Sequence, residues 1–504
     1  MKLALHIFGK DVRHLWPQIA IVLLLAAGYV AGQVRPNDAL RWLSDPLGVL
    51  LPAAYAWLIV TLMHQEAVPG GRQFWLTRPY PRRSLLAAKA LFVLLFVSAT
   101  MIAKDCVIVT ALGFPILPNL TGLVLRQFAW TAWVVLPALA AGAVTRNLQE
   151  VGLVGAGVAL VYALQTIVQG ILGRASFWPG IEWIRDYFGM VLLWASCLAI
   201  VLWQYRRRET GTARAAAAFV AVLVVAGLPL LPWGAGFAVQ MLARRPRGDW
   251  TNSQVAPDLT RARRAAPAGR IPLWPTLELP VKLTGLPGGM TLVPDGARFE
   301  IVSGARTVWR SGWRQGWYGT RIERFRSLEV YMDERSYRRL ENQRVTIRLS
   351  VGFTLLEDEP PIRVPADQRV FFIEGSRCER VSPENQHQLI WCHAALRAVP
   401  RALMEFGTPG AEATISQTGT WSYAPYEAVL DQSPVSTTVV APFPNQQSAA
   451  DPNAPPPPPD APITVTIQRP VAHFRRDLVF PNVRLADYLV SPRRARLQVV
   501  RLGR

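Results

Sequence analysis

Seven stretches of this chain are almost free of ionised side chains, and no other feature limits its fold as strongly. They are Pro17–Gly32, Pro46–Met63, Ser84–Ala103, Gln127–Thr145, Val151–Gly173, Tyr187–Trp203 and Ala215–Met241. An ionised group at mid-bilayer costs several kcal/mol and a spanning helix needs about 20 apolar residues, so each stretch reads as a membrane span. Only Ser84–Ala103 is interrupted, by Lys89 near its start. A lysine stem there is expected to snorkel to the interface. The first stretch has the basic flank and small-residue tail of a secretory signal, but six further spans argue for an uncleaved first helix.

The charge density changes along the chain: 28 of the first 243 residues are charged, against 60 of the last 261. The first part therefore reads as membrane and the second as soluble. The net charge of +20 divides equally between them, so it marks no local footprint for nucleic acid. The expected layout is a polytopic α-helical membrane domain over 1–243, a basic Arg-, Ala- and Pro-rich linker over 244–270, and a β-rich, sandwich-like domain over 271–504 with a proline-rich loop within 442–462.

Cys106–Leu125 is also uncharged, and an eighth span there would reverse everything downstream. Only Lys104 and Asp105 separate it from the third stretch, too few residues for a helix-to-helix turn, and Pro115 and Pro118 break it. The expectation is a long third helix running into a loop or re-entrant piece. Seven spans then put the termini on opposite sides. With the N-terminus inside, inner segments carry thirteen Lys and Arg and outer loops six, namely Arg35, Arg41, Lys104, Arg126, Arg174 and Arg185. The excess of basic residues belongs to the cytoplasm, which predicts an inner-membrane protein with an extracytoplasmic C-terminal domain. Arg244, Arg245 and Arg247 run against that bias, as long translocated domains are free to do.

In the soluble half, Val345, Ile347, Leu349, Val351, Phe353 and Leu355 alternate with Thr346, Arg348, Ser350, Gly352 and Thr354, the period of a half-buried strand. Ile463, Val465 and Ile467 repeat it, and further strands are expected near 300–302, 328–332, 370–373, 389–392, 437–440 and 497–502. Asp333–Leu340 reads as a short helix capped by Asp333. Many short strands with Gly, Pro and Asn turns predict an antiparallel sandwich, or two small ones. Cys378 and Cys392 end and close a hairpin-like stretch, which predicts a disulfide and an oxidising compartment. Free thiols are the first alternative, and a zinc site using His387 and His393 the second, although the paired ligand spacing is missing.

The sequence contains no GxxxxGK[ST] phosphate loop, HExxH, GxSxG or strand-flanked GxGxxG, so no catalytic residue and no cofactor are expected in this chain. Lys104 and Asp105 have two readings: a polar pair lining a membrane path, or an interfacial pair at the outer headgroups. His64 and Glu66 sit just past the second span, where an interface location suffices. More particular is Gly70–Phe92, GGRQFWLTRPYPRRSLLAAKALF, in which two glycines, an aromatic FWL segment and a Pro-spaced basic cluster run directly into a span.

TRPYPRRSLLAAKALF, through Arg78, Pro79, Arg82, Arg83, Leu86 and Lys89, resembles the stretch leading into the third span in membrane subunits of type-2 ATP-binding-cassette (ABC) transporters. The opening LALHIFGKDVRHLWP is similar to the amphipathic elbow before that family's first span: Leu5, Phe8, Val12, Leu15 and Trp16 share a face, and Lys10 and Arg13 lie off it. The resemblance covers about residues 1–240. Seven spans instead of six, and an appended β-rich domain, depart from the family's pattern. It implies a permease subunit of an exporter, a homo- or heterodimer in the bilayer, with ATP bound by a separate cytosolic ATPase. Phe74, Trp75, Arg78, Pro79, Arg82 and Arg83 would form the coupling loop. The competing expectation is an anchored extracytoplasmic binding module without transport.

Overall fold

The computed structural model describes residues 2–34, 38–65, 81–171, 182–228, 254–259, 275–315, 327–381, 389–397, 400–406, 411–415, 433–440, 443–444 and 461–489, with isolated positions between 235 and 242. Helix α1 (Lys2–His14) precedes α2 (Trp16–Val34) and α3 (Asp38–His64). The third span joins α4 (Arg82–Val93) to α5 (Ala99–Ala111) through a π turn at Leu94–Ser98. The fourth joins α6 (Leu120–Trp130) to α7 (Leu136–Val144) through a second π turn at Thr131–Val135. Then come α8 (Leu148–Ile171), α9 (Glu182–Arg207) and α10 (Thr210–Val222). Among the described residues, seven helical segments are long and apolar enough to cross a membrane, so the chain is a membrane protein.

The uncharged stretch Cys106–Leu125 is shared between two spans. Its first part completes the third span to Ala111, and its last part opens the fourth at Leu117. Gly113, at φ +86°, turns the chain between them, a conformation with little steric cost only for glycine. No eighth span or re-entrant segment is formed there. Leu58, Ile59, Phe92, Val97, Trp130 and Ala132 make the apolar centre of the bundle. The fifth span lies at the edge of the bundle, with none of its apolar window buried.

The second half is β-rich, with antiparallel pairing throughout the described strands. Val345–Leu355, read from its alternation, lies in Arg344–Asp358, which pairs with Met290–Ser303 on one side and with the 22-residue strand Ile463–Arg484 on the other. Against this surface packs a three-stranded sheet of Gln254–Pro257, Thr276–Thr284 and Ser327–Tyr331, with Leu277, Leu279, Leu328 and Val330 meeting Ile347, Leu349 and Val351. A second core joins the sheet of Val370–Ile373, Ser376–Val381, Leu389–Ala395 and Val435–Val440 to Ala402–Phe406 and the first part of Ile463–Arg484. Two small sandwiches therefore share one strand. Their division falls at Pro470, where the register shifts and a missing N–H interrupts the ladder.

Gln254–Pro257 lies inside the stretch expected as a basic linker, yet it pairs with Thr276–Thr284. Residues 244–253 and 260–270 of that linker, most of the proline-rich loop and 497–502 lie outside the described residues. The short helix Glu334–Leu340 forms where expected, and Asp333 accepts the Ser336 backbone N–H at 2.8 Å. Burial pushes the Asp333 carboxyl up, but hydrogen bonds from Ser336 and the Trp309 indole outweigh it and hold the group below the usual range.

Cys378 and Cys392 oppose each other in register and form a disulfide. Both are fully buried among Phe371, Ile390 and Met404. This consumes the thiolates a zinc site would need, and His393 Nδ1 instead sits 2.9 Å from Thr437 Oγ1. Mass mapping without reductant is expected to recover the two cysteines in one linked peptide pair, and Cys378→Ser with Cys392→Ser to destabilise the β-rich domain by about 2–4 kcal/mol. Recovery of both thiols alkylated would refute the bridge.

Candidate functional site

The third span carries Lys89 near one end and Lys104 near the other, about 22 Å apart at 1.5 Å per residue. Each is buried against an acid. Lys89 Nζ donates to Asp11 Oδ2 at 3.1 Å and to the Leu62 carbonyl at 2.9 Å. Lys89 is 3% exposed and Asp11 fully buried, so the lysine does not snorkel as expected. A carboxylate on α1, spaced i+4 from Ile7 and i−4 from Leu15 on the buried side of that helix, supplies the charge that interfacial water would otherwise solvate.

At the opposite end, Lys104 Nζ lies 3.0 Å from Asp105 Oδ1, and Arg126 Nε donates to Asp105 Oδ2 at 2.7 Å. Lys104 also stands over the Tyr29 ring at 5.0 Å. All three charged side chains are at most 4% exposed. Lys104 and Asp105 are therefore enclosed by protein, between α2, α5 and α6, which both readings of the pair allow. Arg126, expected in an outer loop, lies inside the fourth span. Removing Lys104 and Arg126 from the outer loops, and Lys89 from the inner segments, leaves the basic excess on the same side.

Between these clusters, Tyr55 of the second span meets Thr100 through its hydroxyl at 3.0 Å and Trp130 edge-on at 6.2 Å. Thr100 Oγ1 also donates to the carbonyls of Phe96 and Val97, both within the π turn. A π turn widens the helix and loosens its ladder, and the threonine hydroxyl contacts carbonyls in that widened segment.

The β-rich domain sits directly on the bundle. Ala395, Leu396 and Val435 pack with Tyr29, Ile108, Val109, Phe114 and Leu123. Ile108 and Val109 are about one helical turn from Asp105, and Leu123 is one turn from Arg126. Leu396 takes φ +54° and donates its N–H to the Pro434 carbonyl. A Cβ on Gly122 would stand 2.5 Å from the Leu396 oxygen, so only glycine admits this approach. The strand entering the seat, Leu389–Ala395, is the one held by Cys392.

At the other end, His64 Nε2 lies 2.9 Å from Thr145 Oγ1. Arg214 donates to the Val144 carbonyl and to Glu150, tying the fourth, fifth and seventh spans. Phe74, Trp75, Arg78 and Pro79, with Glu66, lie outside the described residues, as does the Arg82 side chain; Arg83 is exposed on the first turn of α4. The sequence reading missed Asp11 and Arg126. The trace of Asp11 was a lone acid at the spacing of an apolar face, and that of Arg126 a lone cation between two uncharged stretches.

Comparison with known proteins finds no matching family model, no matching curated protein and no matching solved structure.

Proposed function

We propose that this chain is the permease subunit of an ABC-type exporter, pairing with a second membrane subunit and coupled to a separate cytosolic ATPase through Gly70–Ser84. One observation carries the reading. Immediately after that stretch, the third span runs without a break from Arg82 to Ala111, is held by a buried charge cluster near each end, and stops at the seat of the outer domain. A helix so fixed transmits a displacement applied at its inner end to the sandwich at its outer end. Sidedness follows the same proposal: N-terminus cytoplasmic, sandwiches outside an inner membrane, supported by the basic excess and by the disulfide.

Phe74→Ala with Trp75→Ala is expected to abolish ATPase co-purification in mild detergent while insertion is unchanged, because aromatic anchors dominate interfaces. Replacing Arg78, Arg82 and Arg83 by Gln should weaken it in a salt-dependent way. If no ATPase accompanies the unaltered protein, or the aromatic variant retains it fully, the spans are an anchor for an extracytoplasmic binding module.

A further inference from the structure

Helix α1 divides into three sides in projection at about 100° per residue. Ile7, Asp11 and Leu15 are buried against the bundle, and Phe8 stacks on Phe96 at 6.1 Å. A second side carries Leu5, 51% exposed, and Val12, and continues past the bend at Leu15 to Trp16, 57% exposed, at the start of α2. The third carries Lys2, His6, Lys10 and Arg13, all exposed. The single acid of the helix, Asp11, faces inward onto Lys89, so the exposed side holds only basic side chains. Lys10 Nζ pairs with Asp11 at 4.0 Å, and its side chain is 46% exposed.

From this we infer that the exposed sides of α1 form a seat for anionic phospholipid, with the apolar strip in the acyl region and the basic strip on the headgroup phosphates. Charge complementarity selects the headgroup. The adjoining Leu5–Val12–Trp16 strip selects a lipid over a soluble acidic partner, because a surface-lying helix needs an apolar edge beside its cationic one. Helix α2 begins at Trp16, so the end of α1 is fixed at the level where a span enters the bilayer. Through Asp11 and Lys89, a lipid held here steadies the start of the third span. The inference is independent of any ATPase.

The test uses the full chain, delipidated in detergent, incubated with equal phosphatidylglycerol and phosphatidylcholine, and read by native mass spectrometry. Each basic residue near an anionic surface contributes about fivefold, so preferential retention of phosphatidylglycerol by about tenfold or more is expected. Lys2→Gln, Lys10→Gln and Arg13→Gln together should remove most of it. Lys2→Arg, Lys10→Arg and Arg13→Lys, which keep the charge, should preserve it. If the triple Gln variant does not fold, Lys2→Gln with Arg13→Gln gives the same reading with Lys10 intact. Equal retention of both lipids, retention unchanged by the Gln variants as for a surface that holds an acidic protein, or displacement of phosphatidylglycerol by millimolar inorganic phosphate would overturn the assignment.

Discussion

Asp105→Asn is expected to destabilise the protein by about 3–5 kcal/mol, because it removes the carboxylate shared by two cations inside the bundle. The replacement is nearly isosteric, so the loss reports charge and not volume. Thermal unfolding in detergent should show a large fall in Tm, and urea unfolding a lower midpoint with a similar slope. Neutralising the cations with the acid, as Lys104→Met, Asp105→Asn and Arg126→Met, should recover much of the loss, since a well-packed apolar replacement of a buried ion cluster is often neutral or stabilising. An Asp105→Asn protein as stable as the parent, or a triple variant worse than the single one, would show that the cluster does not hold the third and fourth spans together.

Gly122→Val should loosen the β-rich domain from the bundle. Its Cβ would meet the Leu396 backbone carbonyl at 2.5 Å and the Leu396 Cβ at 2.6 Å, and a backbone group cannot swing aside as a side-chain end can. Overpacking of this kind costs about 1–3 kcal/mol, which corresponds to about fivefold to a hundredfold faster amide exchange where the seat opens. Peptides covering 108–123 and 389–397 are expected to exchange faster together, while those from the sandwich strands 345–355 and 470–484 stay protected. Gly152→Val, at a position with no heavy atom within 4 Å, should leave both peptides unchanged. Unaltered exchange in Gly122→Val would mean that the seat does not join the two halves.

The spans were legible because the cost of burying a charge in lipid acts on each residue separately, and a window of some 20 residues is enough to register it. The strand Arg344–Asp358, the cap at Asp333 and the pairing of Cys378 with Cys392 were legible for a similar reason: alternation, capping and hairpin closure are local regularities. The start of the fourth span was misplaced because Arg126 marked the edge of an uncharged window, and a window cannot distinguish a cation in a loop from one neutralised inside a helix bundle. The same holds for Lys89, whose counter-charge comes from α1 and not from its own window.

What the sequence alone determined is therefore the number of spans, the change from helix to antiparallel sheet, and the disulfide. Tertiary structure alone decided which charges face one another, that two sandwiches share Ile463–Arg484, and where the β-rich domain rests. The partners in those contacts are far apart in the chain: Asp11 and Lys89 are 78 residues apart, and Asp105 and Arg126 are 21. A buried ion is stable only when its counter-charge arrives from another element, and no periodicity in either segment encodes that arrival.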